Sequence, residues 1–206
     1  MKERQILFST PMVQAILDGR KTMTRRVLKP KLIPFIEKSE LVNGKVCLDL
    51  LDIEITCPYG IPGDRLWVRE TWRRADENCP DGIYYKANNM LVYFDGNEPE
   101  IVRNAIEQYP RDGKNKPCIF MPRWASRITL EIVSVRIERL QKITDQDALA
   151  EGIPEDMILE AHNYLIRRGS DEKMAFKTLW DSINGKTYPW ESNPFVWVIE
   201  FKKVED

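Results

Sequence analysis

Residues 127–140 read RITLEIVSVRIERL, and this stretch restricts the fold more than any other. Ile128, Leu130 and Ile132 recur at every second position, the period of a half-buried strand. Val133, Val135 and Ile137 then carry the apolar set on the opposite phase. One face of a strand keeps a strict period of two, so a change of phase requires a bulge or a bend where the strand turns a corner. A capped helix follows, with Thr144 as N-cap, Asp147 three residues on and Gly152 as terminator. FVWVIEF, residues 195–201, reads as a second apolar strand. Glu200 is its only charge, which predicts burial on most sides.

The remaining elements are shorter. A helix opens the chain, capped by Ser9 or Thr10, with Pro11 near its first position and Gly19 at its end. Val13, Ile16 and Leu17 form its apolar stripe. KVCLDLLDIEI is β-like or irregular, and CPYGIPGD is a loop rich in Pro and Gly. RLWVRETW alternates, with Leu66, Val68, Glu70 and Trp72 on one face and Trp67, Arg69 and Thr71 on the other. A carboxylate on the Leu/Val face places Glu70 either beyond the core at a strand end or against a polar pocket. Two late helices end at Gly169 and Gly185, the second with Phe176, Leu179, Trp180 and Ile183 as its buried stripe.

Residues 73–117 change in texture. DENCPDG, DGNEPE and PRDGKNK are turn-rich and flank a strand at MLVYF. The segment reads as an insertion, too short and polar to own a core, on a single domain spanning residues 1–206. At 206 residues and 43% hydrophobic, the chain is large and apolar enough to bury one. Several strands with a bend, a few peripheral helices and no βαβ rhythm predict an α+β fold around a small β-barrel.

Charge narrows the classes of function. Lys+Arg number 31 against 32 Asp+Glu, so strong nonspecific DNA binding is not expected and any nucleic-acid site must be local. No apolar run reaches the length of a membrane span, and the opening MKERQILFST carries no targeting pattern. A cytoplasmic protein without a membrane partner is the expectation. Cys47, Cys57, Cys79 and Cys118 lie far apart, and His162 is the only histidine. That spacing does not suit a metal site and predicts free thiols. It leaves little room for a Ser-His-Asp enzyme, and His162 reads as a surface residue. No metal or organic cofactor is implied.

The functional signal is LDGRKTMTRR, where four cations fall within residues 20–26. A helix C-terminus favours cations by about 0.3–1 kcal/mol each, which accounts for Arg20 and Lys21 as a solvated basic turn. Alternatively, Lys21 beside Thr22 and Thr24 is a base that activates a hydroxyl. Lysine serves so only when neutral, and its pKa, ordinarily about 10.4, must fall close to neutrality at about 1.4 kcal/mol per pH unit. Burial and like charges work in that direction, and Arg20, Arg25 and Arg26 are the adjacent cations.

GRKTMTRR matches the G-x-K-x-x-[TE]-x-R signature of the ASCH domain, the activating signal cointegrator homology domain of the PUA-like superfamily, at Gly19, Lys21, Thr24 and Arg26. ILFSTPMVQAILDGRKTMTRRV, CPYGIPGDRLWVRETW, MPRWASRITLEIVSVRIERL and LWDSINGK with NPFVWVIEF also resemble a phage- and prophage-encoded ASCH group. The resemblance implies a PUA-like barrel. One bacterial branch of the superfamily is an N(4)-acetylcytidine amidohydrolase that uses a lysine, a threonine and a glutamate. Its GRKTIT motif is similar to residues 19–24, and TDQDALAE places Glu151 at its glutamate. The present chain is longer, with added loops and tryptophans, which leaves the size of the substrate open.

By that resemblance Thr24 attacks the amide carbonyl of an acylated nucleoside or nucleobase and Lys21 takes the hydroxyl proton. Glu151 orients Lys21 or carries a proton to the leaving amine, and Arg26 holds a phosphate, a ribose or the developing oxyanion. A non-catalytic RNA or DNA reader using the same cleft is the alternative, and a ribonuclease a third. The partner is accordingly a nucleoside-like small molecule or RNA. Glu151 also has a local oddity: a carboxylate in the last turn of a helix meets the negative end of the dipole, so it is either an exposed residue that tolerates a cost of about a few tenths of a kcal/mol or one with a compensating lysine nearby. Trp67, Trp180 and Trp197 sit on core-like patterns. Trp72 and Trp124 lie at strand ends beside Glu70 and Arg123, where a base can stack, and these four complete the expected substrate-binding set.

Overall fold

The computed structural model describes residues 1–29, 31, 40–42, 45–48, 53–164 and 171–204. In chain order the elements are β1 (Glu3–Leu7), α1 (Thr10–Leu17), β2 (Met23–Val27), β3 (Glu40–Val42), β4 (Lys45–Leu48) and β5 (Ile53–Thr56). There follow β6 (Arg65–Arg69), β7 (Trp72–Arg74), β8 (Gly82–Tyr85), β9 (Met90–Tyr93) and α2 (Glu100–Ile106). The chain then forms β10 (Thr129–Arg139), α3 (Asp145–Ala150), α4 (Glu155–Tyr164), α5 (Asp171–Asn184) and β11 (Phe195–Lys203). Gly169 and the side chain of His162 lie outside the described residues.

The principal sheet has the order β1-β6-β10-β11-β2, parallel between β1 and β6 and antiparallel elsewhere. Two antiparallel meanders, β3-β4-β5 and β7-β8-β9, accompany it. Mixed sheets with several helices make the fold α+β. Among the described residues the principal sheet ends at β1 and β2 and does not close into a barrel. No helix among them is long and apolar enough to cross a membrane.

The phase slip in β10 is a bulge. Its register with β11 passes from Ile132↔Phe201 to Ser134↔Glu200, leaving Val133 without a partner and 51% exposed. β11 is buried on both faces. Trp197, Ile199 and Phe201 join Ile6, Phe8, Leu66 and Leu130 on one side, while Val196 and Val198 join Leu140, Phe176 and Trp180 on the other. This alternation divides β2 as well, because its residues stand opposite those of β11: Thr24 beside Ile199, Arg25 beside Val198, Arg26 beside Trp197. Paired residues share a face, so Arg25 points away from Thr24 and Arg26.

Residues 72–125 depart from expectation. Trp72, Ile83, Tyr85, Ile106, Met121 and Ala125 bury one another in a third apolar cluster. Ile83, Tyr85 and Ile106 of the 73–117 segment share this cluster with Trp72, Met121 and Ala125 from just outside it, and these apolar residues are too scattered among turns to read as a periodic pattern. Arg74 ties it together through Asp81 and the carbonyls of Ile106 and Tyr109, and Arg111 through the carbonyls of Ala75, Asp76 and Cys79.

Candidate functional site

Lys21 is placed by three pieces of chain. Gly19 ends α1 with φ +75°, a left-handed conformation natural to glycine. The Lys21 amide then donates to the Ala15 carbonyl at 2.9 Å, turning the chain back over α1. Lys21 also bridges Glu151 antiparallel, and the Thr22 amide donates to the Ala150 carbonyl at 2.9 Å. Gly152 makes this approach possible. Its φ is +73°, and a Cβ there would lie 2.7 Å from Cβ of Lys21 and 2.8 Å from Cβ of Ala15. The terminator expected for α3 is thus also the contact that seats Lys21.

The Lys21 side chain has no solvent exposure. Its Nζ donates to the Met23 carbonyl at 2.8 Å, the Glu151 carbonyl at 2.7 Å and Glu151 Oε2 at 2.9 Å. It also stands 5.5 Å from the centroid of the Phe8 ring. Thr144 caps α3 by accepting the Asp147 amide at 3.1 Å, and Glu151 forms the other cap. The cation that compensates this unfavourably placed carboxylate is Lys21. Burial pushes the Lys21 pKa below its ordinary value. Glu151 pulls it up, Arg26 and Arg25 push it down, and the net direction is downward.

Beside this pair, along the β2 end of the sheet, lies a cavity of about 380 Å³. Thr24, Arg26 and Glu151 line it together with Tyr59, Phe176 and Tyr188. The Arg26 guanidinium stands 5.2 Å from the Phe8 ring and 5.8 Å from Tyr59, and its Nη2 donates to the Leu7 carbonyl at 2.6 Å. Arg26 Nε is buried without a hydrogen-bond partner among the described residues. Desolvation pushes the Arg26 pKa down, though a guanidinium stays charged. Leu179 and Ile183 of α5 line the cavity; Leu179 also packs against the core beside Phe176 and Trp180, whereas Ile183 is 55% exposed and departs from the expected stripe.

The other expected contacts lie elsewhere. Glu70 is buried in a two-pronged pair with Arg127, Oε1 to Nε at 2.9 Å and Oε2 to Nη2 at 3.0 Å. Trp72 is completely buried, with Tyr109 and Trp124 edge-on at 4.9 Å and 5.8 Å, so its indole has no face left for a base. Trp124 belongs to the same aromatic group, and Arg123 pairs with Glu3 at 2.8 Å. None of these four lines the cavity. Arg20 pairs with Asp18 on the surface. Trp67 faces outward between Arg69 and Arg123 instead of entering the core.

Two contributors escaped sequence reasoning. Tyr59 reaches the cavity from the loop CPYGIPGD, which has no periodicity to reveal it. The engagement of Arg25 with Glu151 comes from the alternation of β2 against a helix cap more than a hundred residues away. Among the described residues no group of three or more His, Cys, Asp or Glu stands ready for a metal ion. Cys57, Cys79 and Cys118 are free thiols, and burial raises the Cys57 pKa to about 11, which makes it a poor nucleophile.

No family model and no curated protein matches the chain. Similar solved structures include an ASCH domain from Lactobacillus crispatus JV V101, 13% identical, covering 98% of this chain and 79% of that one with a TM-score of 0.39. A protein from Enterococcus faecalis V583 of the DUF984 family is 12% identical, covering 99% and 80% with a TM-score of 0.36.

Proposed function

We propose that the chain is an ASCH-type protein of the PUA-like class that hydrolyses the amide of an acylated nucleoside or nucleobase. The reading rests on one observation: Lys21 and Glu151 form a buried ion pair at a cavity that Thr24 and Arg26 line. These are the four residues to which the sequence resemblance assigns the chemistry. The cavity's volume falls in the range of small-molecule pockets, about 300–1,000 Å³, and its aromatic wall suits a planar base.

In this reading Thr24 Oγ attacks the acyl carbonyl while Lys21 Nζ receives its proton. Arg26 steadies the oxyanion. The C–N bond then breaks, the leaving amine takes a proton carried from Lys21 or through Glu151, and water hydrolyses the acyl-threonine ester. An ammonium donates three hydrogen bonds and a neutral amine two, so one of the three Lys21 contacts must lapse before Lys21 acts as a base.

The saturation of Lys21 supports a second reading, a non-catalytic RNA reader in which the pair is structural and Arg26 holds a phosphate. Both readings take the chain as one domain with an insertion at 73–117, working in the cytoplasm without a cofactor. Incubation with N(4)-acetylcytidine, followed by chromatography of released cytidine, separates them. Hydrolysis by the wild type and none by Thr24→Ala, with ligand affinity within a few-fold, supports the enzyme. No turnover, with RNA binding indifferent to Thr24→Ala, supports the reader.

A further inference from the structure

Arg25 is as deeply buried as Lys21 and stands at the wall of the same cavity. Its side chain has no solvent exposure and meets three carboxylates: Glu138 at 2.6 Å, Asp147 at 2.7 Å and Glu151 at 3.2 Å. The Phe176 ring of α5 lies 5.8 Å from its Cζ, and Met23 Sδ accepts from Nη1 at 3.3 Å. β10 contributes Glu138 and Arg136, α3 contributes Asp147 and its cap Glu151, and Glu200 of β11 pairs with Arg136. Lys21 and Arg26 complete the charged surroundings of Glu151. A planar guanidinium can engage several acceptors in fixed directions at once, which an ammonium on a flexible stem cannot.

The consequence falls on Glu151. Its Oε2 accepts from Lys21 at 2.9 Å and its Oε1 from Arg25 at 3.2 Å. A carboxylate shared by two cations neutralises each less than it would a sole partner. We propose that Arg25 is a positioning residue: anchored by Glu138 and Asp147, it holds Oε1 of Glu151, fixes the carboxylate and leaves Lys21 only a shared counter-charge. Resting on the hydrolase reading, this is what lets the Lys21 ammonium give up its proton between turnovers. The field of Arg25 acts on Lys21 in the same sense, against the pull of Glu151.

The test is read on Lys21 itself and so does not depend on turnover. In protein labelled with ¹⁵N-lysine, the Lys21 ζ-nitrogen is assigned by its loss in Lys21→Arg and titrated by NMR. Arg25→Gln removes the second cation, and Lys21 is expected to keep its proton to a pH about one unit higher or more. Arg25→Lys retains the charge without the fork, and a smaller upward shift is expected. A merely structural Arg25 lowers the melting temperature of both variants and leaves the Lys21 titration in place, which overturns the proposal, as does a downward shift. Should Arg25→Gln not fold, Arg25→Lys decides alone, and an unmoved titration is again fatal. With N(4)-acetylcytidine as substrate, Arg25→Gln is expected to lose about tenfold in kcat at neutral pH, a loss recovered as pH rises, with KM within about twofold. If the wild type hydrolyses nothing, the hydrolase reading fails while the Lys21 titration still decides the role of Arg25.

Discussion

Glu70 and Glu151 are both carboxylates buried against cations, and they differ in every other respect. Glu70 meets Arg127 in a closed fork, both oxygens taken by one guanidinium that lies 4.1 Å from the Tyr85 ring. Glu151 gives one oxygen to Lys21 and the other to Arg25, and it lines a cavity. The first pair is a two-pronged fork; the second is divided and has space beside it. Burying a charge costs several kcal/mol wherever it occurs, so burial with a partner marks both a structural tie and a reactive group. Access to a cavity and a carboxylate divided between two cations set the second pair apart.

Lys21→Arg breaks the comparison most sharply. Arginine keeps the positive charge but stays protonated, so an electrostatic role survives and a base is lost. The expected outcome is loss of N(4)-acetylcytidine hydrolysis by orders of magnitude in a folded protein, with surface Arg20→Lys close to wild type. Equal rates in all three proteins would reduce the Lys21–Glu151 pair to the same structural status as Glu70–Arg127.

Glu70→Gln probes the other side. Removing one partner of a buried ion pair costs about 3–5 kcal/mol, so the denaturant midpoint should fall substantially. Hydrolysis per folded molecule should be unchanged, because Glu70 is not among the cavity's lining residues. A specific loss of turnover without loss of stability would return Glu70 to the substrate-binding set.

The smallest effect sharpens the contrast through pH. Lys21 has a pKa below its ordinary value, so between the lowered value and about 10.4 the unfolded chain holds a proton that the folded one has released. The unfolded state then binds more protons, and this contribution to stability increases with pH across that window. The hydrolysis rate should climb over the lower part of the same range, as Lys21 becomes neutral. Lys21→Arg should lack the stability increment when its denaturation is followed from neutral to alkaline pH, and Glu70→Gln should retain it.

Much of this was legible in the chain. The phase slip at Val133, the Thr144 cap, Gly152 as terminator and a strand at residues 195–201 buried on both faces all follow from local periodicity and turn chemistry. So did the unfavourable place of Glu151 at the end of α3, and of the two readings that place allowed, exposure or a compensating lysine, the structure shows the lysine. Periodicity reports which residues share a face but not what covers that face. Trp67 and Trp72 therefore exchanged their expected places, one outward between arginines and the other sealed in a core. For the same reason Ile183 continued a core stripe by spacing and became an exposed part of the cavity wall in space. The third core eluded the sequence because its members come singly from strands, a helix and turns across residues 72–125.

The sequence by itself determined the segments that bend, cap and alternate, because those depend on neighbours within a few residues. It also marked Lys21, Thr24, Arg26 and Glu151 by resemblance. Only the tertiary structure decided that a helix cap 130 positions away closes over Lys21, that Arg25 takes the second oxygen of Glu151, and that a cavity opens beside them. Those outcomes depend on sheet order and on which face of β2 meets α3. Such contacts join segments whose spacing along the chain carries no record of their distance in space.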